Sequence, residues 1–277
     1  MYRSYLLLML FPAMFFLNSC KQKGNESEAH YLKGNDLLLN DDFPNAMKEY
    51  KIAIQSDPAN WRASYQLAGV YELEGDFQNA FYYFSKAVEI NPKFTLGYFN
   101  KANLEEMIGD EKGSMKDLDM VIANKSNFFL ALLTKGRKEY SSGHFKEAVS
   151  DFDSAINLRR DFFLAYSMRG SCKFKSGDLA GAISDFDMEI KLNPNHIMGY
   201  VNRAVAYGEQ KNYRAAINDI NAAVQFDSLW SQGYIYRGMF QYQANIKDSA
   251  CSDFQTALKL KNPQAEAYMK QYCNGVK

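Results

Sequence analysis

The sequence predicts an all-α protein, a solenoid of seven helical hairpins followed by a C-terminal capping helix. Three observations carry that expectation. A period of 34 residues runs from Ser27 to Gln264 without insertion or deletion, giving repeats 27–60, 61–94, 95–128, 129–162, 163–196, 197–230 and 231–264. A period of this length marks stacked supersecondary repeats rather than one closed core. Within the second half of each repeat, apolar residues fall at i, i+4 and i+8, as Ala182, Phe186 and Ile190 do in repeat five, so they share one helix face. Punctuation agrees: Gly177-Asp178 separates the two halves of repeat five and Asn193-Pro194 ends it, both being signals that stop helices.

Ahead of the repeats, residues 1–19 read as a secretory signal, with Arg3 before an apolar run over 5–17. That run is short of the roughly 20 residues a bilayer span needs and suits the apolar region of an export signal. Leu17-Asn18-Ser19-Cys20 resembles the bacterial lipobox. The resemblance implies cleavage before Cys20, a diacylglycerol on its thiol and an acyl chain, palmitate among the candidates, on the new amine. Residues 20–26 are then a lipidated cysteine and a polar tether. The other reading is an ordinary signal with an incidental cysteine. Several acyl chains would anchor stably, since each buried CH₂ contributes about 0.8 kcal/mol. Lys21 in place of Asp favours the outer membrane under the enterobacterial sorting rule, so the expected location is the bacterial cell envelope, facing the periplasm or the surface.

Numbering each repeat from 1 to 34, the eighth position is small throughout: Gly34, Ala68, Ala102, Gly136, Gly170, Ala204 and Gly238. The twentieth is small as well, from Ala46 to Ala250, with Ser114 in repeat three. Bulky apolar residues hold the twenty-fourth, as Tyr50, Phe84, Leu118, Phe152, Phe186, Ile220 and Phe254. Small residues let two helices approach, and large ones fill the space beside them. Pro58, Pro92 and Pro194 share the thirty-second position, where a helix has to end. This pattern and its period resemble the tetratricopeptide repeat (TPR), over the whole chain outside the signal, tether and tail. The resemblance implies a right-handed superhelix whose first helices line a partner-binding groove. Repeat three matches least well, with Glu111, Ser114 and Ser126 where an aromatic, Ala and Pro are typical, and is expected to be locally soft.

The seventh and twenty-third positions carry opposite charges: Lys33 with Glu49, Lys101 with Asp117, Lys135 with Asp151, Arg169 with Asp185, Arg203 with Asp219 and Arg237 with Asp253. Repeat two loses both charges together, as Leu67 and Tyr83. Joint loss predicts contact across the hairpin, and fixed polarity favours a structural role over acid/base dyads. Residues 265–277 form the capping helix and tail, expected to cover the exposed face of repeat seven. Cys251 in the last hairpin and Cys273 in the cap lie on helices that should pack antiparallel, and an exported compartment permits a disulfide between them. The alternative is that Cys251 fills an apolar position held elsewhere by Met47, Phe81 and Ile183. Cys172 reads as a small buried hydrophobe.

With 32 basic and 32 acidic side chains the net charge is zero, and no field favours nucleic acid. His30, His144 and His196 are too scattered for a local metal motif, and no cysteine spacing suits zinc. There is no phosphate-binding glycine loop and no nucleophile elbow. No cofactor and no catalytic residue is therefore expected. Function is placed in the groove, with Tyr31, Tyr65, Phe99 and Ile235 at the fifth position, Tyr140, Phe174 and Tyr242 at the twelfth, and Asn35, Asn103 and Arg137 at the ninth. Aromatic anchors beside amides suit an extended peptide or partner helix. A clamp for a terminal carboxylate, found in chaperone-binding relatives, would need Lys and Asn where repeat one has Tyr31 and Asn35. The expected function is a non-catalytic protein- or peptide-binding scaffold held at the envelope; the alternative is glycan binding in a surface uptake system. Glu189 stands alone at the twenty-seventh position among Ala53, Ala87, Val121, Ala155, Ala223 and Ala257, and is expected to reach outward to water.

Overall fold

The computed structural model describes residues 26–273. The signal segment, Cys20 and nearly all of the tether lie outside the described residues, as does the tail at 274–277. The fifteen helices among the described residues pair into hairpins: α1 (Glu26–Leu39) with α2 (Phe43–Ser56), α3 (Trp61–Leu73) with α4 (Phe77–Ile90), and α5 (Thr95–Met107) with α6 (Glu111–Asn124). Then follow α7 (Phe129–Ser141) with α8 (Phe145–Leu158), α9 (Phe163–Lys175) with α10 (Leu179–Leu192), α11 (Ile197–Glu209) with α12 (Tyr213–Phe226), and α13 (Ser231–Gln243) with α14 (Lys247–Lys259). The last helix, α15 (Ala265–Tyr272), packs on α14. Two compact units divide the chain, Met1–Ala131 and Leu132–Lys277.

Every hairpin turns in the same way. The fifteenth residue of each repeat, Asp41, Gly75, Gly109, Gly143, Gly177, Lys211 or Asn245, has a left-handed φ between 58° and 87°. In repeat two the Gly75 amide donates to the Glu72 carbonyl and the Asp76 amide to the Tyr71 carbonyl, a closure that satisfies the last carbonyls of the helix. The next residue caps the second helix: the side chains of Asp42, Asp76, Asp110, Asp178 and Asn212 each accept from the backbone amide three residues on. One turn therefore ends one helix and starts the next. Glycine takes the left-handed conformation at no steric cost, whereas a side chain there costs about 1–2 kcal/mol.

Between the paired helices the small eighth and bulky twenty-fourth residues interlock. A Cβ added at Gly170 would lie 2.8 Å from the Phe186 ring. The rings of Tyr50, Phe84, Phe152, Phe186 and Phe254 are buried behind such positions. Around them the charged seventh position makes the contacts expected of it. Lys33 Nζ meets Glu49 at 2.7 Å and Lys101 Nζ meets Asp117 at 2.6 Å. The arginines bind their carboxylates with two nitrogens each, Arg203 to Asp219 at 2.9 and 2.6 Å and Arg237 to Asp253 at 2.7 Å twice. In repeat two, Leu67 is core and Tyr83 stacks on Tyr71 at 5.7 Å, an apolar contact in place of the ionic one.

The same guanidinium also reaches back to the preceding repeat. Arg169 donates to Asp153, Arg203 to Asp187 and Arg237 to Asn221, at 2.5, 2.5 and 2.9 Å. It lies over the tyrosine three residues earlier as well, Arg169 on Tyr166, Arg203 on Tyr200 and Arg237 on Tyr234, at 5.2–5.9 Å. One side chain thus ties its own hairpin together and fixes the spacing to its neighbour.

At the C-terminal end Cys251 and Cys273 are joined by a disulfide with their Cα atoms 5.7 Å apart. Phe254 stacks on Tyr268 at 5.4 Å beneath it. Cys251 is therefore a crosslink and not only an apolar filler, while Cys172 is a buried free thiol. Closing a loop across 22 residues contributes about 3 kcal/mol in the chain-entropy model.

Two outcomes follow from these contacts. Lys211→Gly relieves a left-handed side chain and raises stability by about 1 kcal/mol, read as a higher urea midpoint with an unchanged slope. In the full chain carrying Cys20→Ala, thiol titration in denaturant without reductant counts one reactive thiol, and three after reduction.

Candidate functional site on the first-helix face

The fifth position does not present its side chains to a partner. Tyr31, Tyr65, Phe99 and Ile235 are only 1–3% exposed, which corrects the expectation of aromatic anchors there. Tyr65 packs on Phe84 at 5.6 Å and edge-on to Phe94 at 4.8 Å, and Phe99 packs on Phe128 at 5.1 Å. The physical reason is that this position faces both the bulky residue of its own hairpin and the joint to the next repeat. Asn35 is also buried, accepting from the Tyr50 hydroxyl at 2.9 Å and from Gln66 at 3.2 Å. It is a structural amide. Phe174 joins the core around Phe186, and Tyr242 packs against Tyr272 of the cap at 4.6 Å. Asn103 is half-buried on α5.

Arg137 and Tyr140 are brought together. They line an open cleft of about 230 Å³ with Phe152, Ser167, Met168 and Ser171. The cleft lies in the second unit between the C-terminal half of α7 and the middle of α9, floored by the Phe152 ring from α8. Exposed Arg137 provides the charge; Phe152 and Met168 provide apolar walls. Position-by-position comparison missed Met168 and Ser171 because they are ordinary residues singly, whereas Ser167 shares the fifth position assigned to the groove. The signal available was the loss of the apolar residue at position five of repeat five.

Glu189 does not reach outward. It is fully buried, and its Oε1 pairs with His196 Nδ1 at 2.6 Å. Burial raises its carboxyl, while the hydrogen-bonded His196 ring opposes the shift. Oε2 has no hydrogen-bond partner. The expectation of a solvated carboxylate fails because the neighbouring helix covers it: a Cβ on Gly199 would touch Glu189 Cδ at 3.2 Å. The other histidines are also carboxylate-bound, His30 to Glu49 at 2.5 Å and His144 to Glu139 at 2.7 Å. Among the described residues no group of three or more His, Cys, Asp or Glu side chains is placed to hold a metal. No described helix is long and apolar enough to cross a membrane.

In the first unit the half-buried Glu72 of α3 has its carboxyl pushed up from 4.5 to about 7 by desolvation. The folded chain then holds a proton that the unfolded chain has lost. Glu72 accordingly costs nothing below pH 4.5, and its destabilising effect grows as pH rises towards about 7. Glu72→Gln should leave stability at pH 4 unchanged and raise it at pH 8 by about 1–3 kcal/mol, as read from denaturant midpoints at the two pH values.

Comparison with known proteins agrees with this architecture. Models of the tetratricopeptide repeat family match residues 31–93, 133–197 and 199–228. The chain belongs to the TPR family. No curated protein matches its sequence. Among solved structures, the C-terminal part of a TPR repeat-containing protein from Cytophaga hutchinsonii superposes with a TM-score of 0.73 at 14% identity, covering 89% of this chain and 99% of that one. A TPR protein from Parabacteroides merdae gives 0.59 at 20% identity over 91% of this chain and 100% of the other. YrrB, described as a TPR protein with an unusual peptide-binding site, gives 0.59 at 17% identity over 65% and 92%. At these identities the likeness is one of fold.

Proposed function

We propose that this chain is a non-catalytic scaffold that holds a polypeptide segment on the first-helix face of its second unit, anchored to the bacterial envelope through lipidated Cys20. The cleft beside Arg137 and Tyr140 carries the reading, since it pairs apolar walls with hydrogen-bonding groups on the helices that TPR proteins use for partners. The peptide-binding site in the description of YrrB supports the same use of the fold. Glycan binding is less favoured, because the Tyr65 and Phe99 rings that would stack on sugars are buried. The lipobox-like Leu17-Asn18-Ser19-Cys20 supports the anchor and an envelope location, with the outer membrane preferred by Lys21.

A displayed random-peptide library panned against the full chain tests the groove. Arg137→Ala with Tyr140→Ala should weaken retained peptides at least tenfold, and undiminished retention removes the cleft from the function. Cell fractionation tests the anchor: Cys20→Ala should move the protein from the membrane to the soluble fraction, and continued membrane association counts against lipidation.

A further inference from the structure

The open cleft of the second unit has an equivalent in the first. Among its lining residues Arg137 and Tyr140 hold the ninth and twelfth positions of repeat four, and Met168 and Ser171 the sixth and ninth of repeat five. Repeats two and three meet within the first unit, and there the same positions carry Gly69, Glu72, Asn100 and Asn103. Phe84 is buried where Phe152 floors the cleft, and Phe99 fills the place of Ser167, so this surface is shallower. A guanidinium and a phenol give way to a glycine and a carboxylate, and a thioether and a hydroxyl to two amides. The charge offered to a partner is reversed.

Glu72 is left without a partner of its own. Among the described residues no hydrogen bond or ion pair reaches its half-buried carboxylate, and burial alone raises it. It stands in the last turn of α3, which contains no basic residue, so the negative pole of the helix adds to its charge instead of offsetting it. The cations of the neighbouring helices are occupied: Lys51 of α2 lies over Tyr71, Lys86 of α4 pairs with Glu89, and Lys101 of α5 pairs with Glu105 and Asp117. Arg62, at the other end of α3, is held by Glu28, and Glu49 of α2 by Lys33. The remaining charges, Lys48, Glu74 and Glu106, are exposed. On the α5 side Asn100 donates through Nδ2 to the Tyr65 hydroxyl at 2.7 Å, which leaves its Oδ1 as an acceptor, and Asn103 is half-buried. A half-buried carboxylate is disfavoured until a cation meets it.

We infer that Glu72, with the Asn100 and Asn103 amides, receives a basic side chain, arginine or lysine, of a polypeptide held on the first-helix face. The inference rests on the polypeptide-binding reading and adds to it a side-chain preference in the first unit. Arginine and lysine bring N–H donors and a positive charge and no acceptor, which a carboxylate and amide carbonyls can meet in full. Hydrogen bonds to charged groups are worth about tenfold or more in affinity. A neutral side chain of the same shape forgoes most of that gain.

The test uses the full chain and two blocked pentapeptides, Ala-Ala-Arg-Ala-Ala and its citrulline counterpart, which keeps the shape and loses the charge. Calorimetry at pH 8 and low salt should give the arginine peptide at least about a tenfold higher affinity. Glu72 takes up a proton below about pH 7, so the advantage should fall to about one at pH 5.5, where carboxylates with ordinary values stay ionised. Glu72→Gln keeps the shape of the side chain and removes its charge, and should bring the two affinities together at pH 8. Equal affinities at pH 8 in the unaltered chain, an advantage that persists at pH 5.5 or in Glu72→Gln, or no binding of either peptide each overturns the inference. Library peptides retained through Arg137 and Tyr140 under those outcomes leave the cleft reading standing. An arginine preference lost in Glu72→Gln, with library retention indifferent to Arg137 and Tyr140, keeps this inference and removes the cleft.

Discussion

The close approach of two helices at a position that holds only glycine or alanine is the constraint on which each hairpin depends. Gly170 lies against Phe186 so tightly that a single added carbon would enter the ring, and Gly136 and Gly238 do the same with Phe152 and Phe254. Once the helices are this close, the seventh and twenty-third residues are within ionic reach and the turn between them has to be short. The repeated left-handed residue and the cap that follows it are consequences of that shortness. Packing sets the distance, and charge selects the register. Exposed pairs supply little net stability, but a half-buried arginine bound to carboxylates in two successive repeats penalises any slip of either.

Most of this was legible in the chain because it recurs. A feature at a fixed position in several repeats can be recognised by comparing them, and the shared loss of charge at Leu67 and Tyr83 made contact readable without coordinates. The disulfide was one of two open readings, since two cysteines on neighbouring helices do not reveal whether their side chains face one another. The backward reach of Arg169, Arg203 and Arg237 was not read, because its partners sit at the twenty-fifth position of the previous repeat, where Asp153, Asp187 and Asn221 resemble solvent-facing residues.

The candidate site was less legible than the fold for a related reason. Positional comparison assigned the fifth residue to a partner, but a residue there meets its own hairpin and the adjoining one before it meets solvent, so large side chains become core. Only where the side chain is small, at Ser167, does that position reach the cleft surface. Glu189 was visible as an exception, yet its environment depended on His196, an exception at another position of the same repeat. Reading them together requires comparing whole repeats rather than columns.

The crosslink at the C-terminal end bears on how this stack comes apart. In a linear array a terminal hairpin has one neighbour and opens first, in the manner of a zipper. Here the last helix is stitched to α14, so peeling from that end must carry the seventh hairpin with it as a single larger step. The stitch gives the second unit a direction of wear: its final hairpin and cap open or stay shut as one piece, and a protease working from the C-terminus meets a knot before it meets a helix.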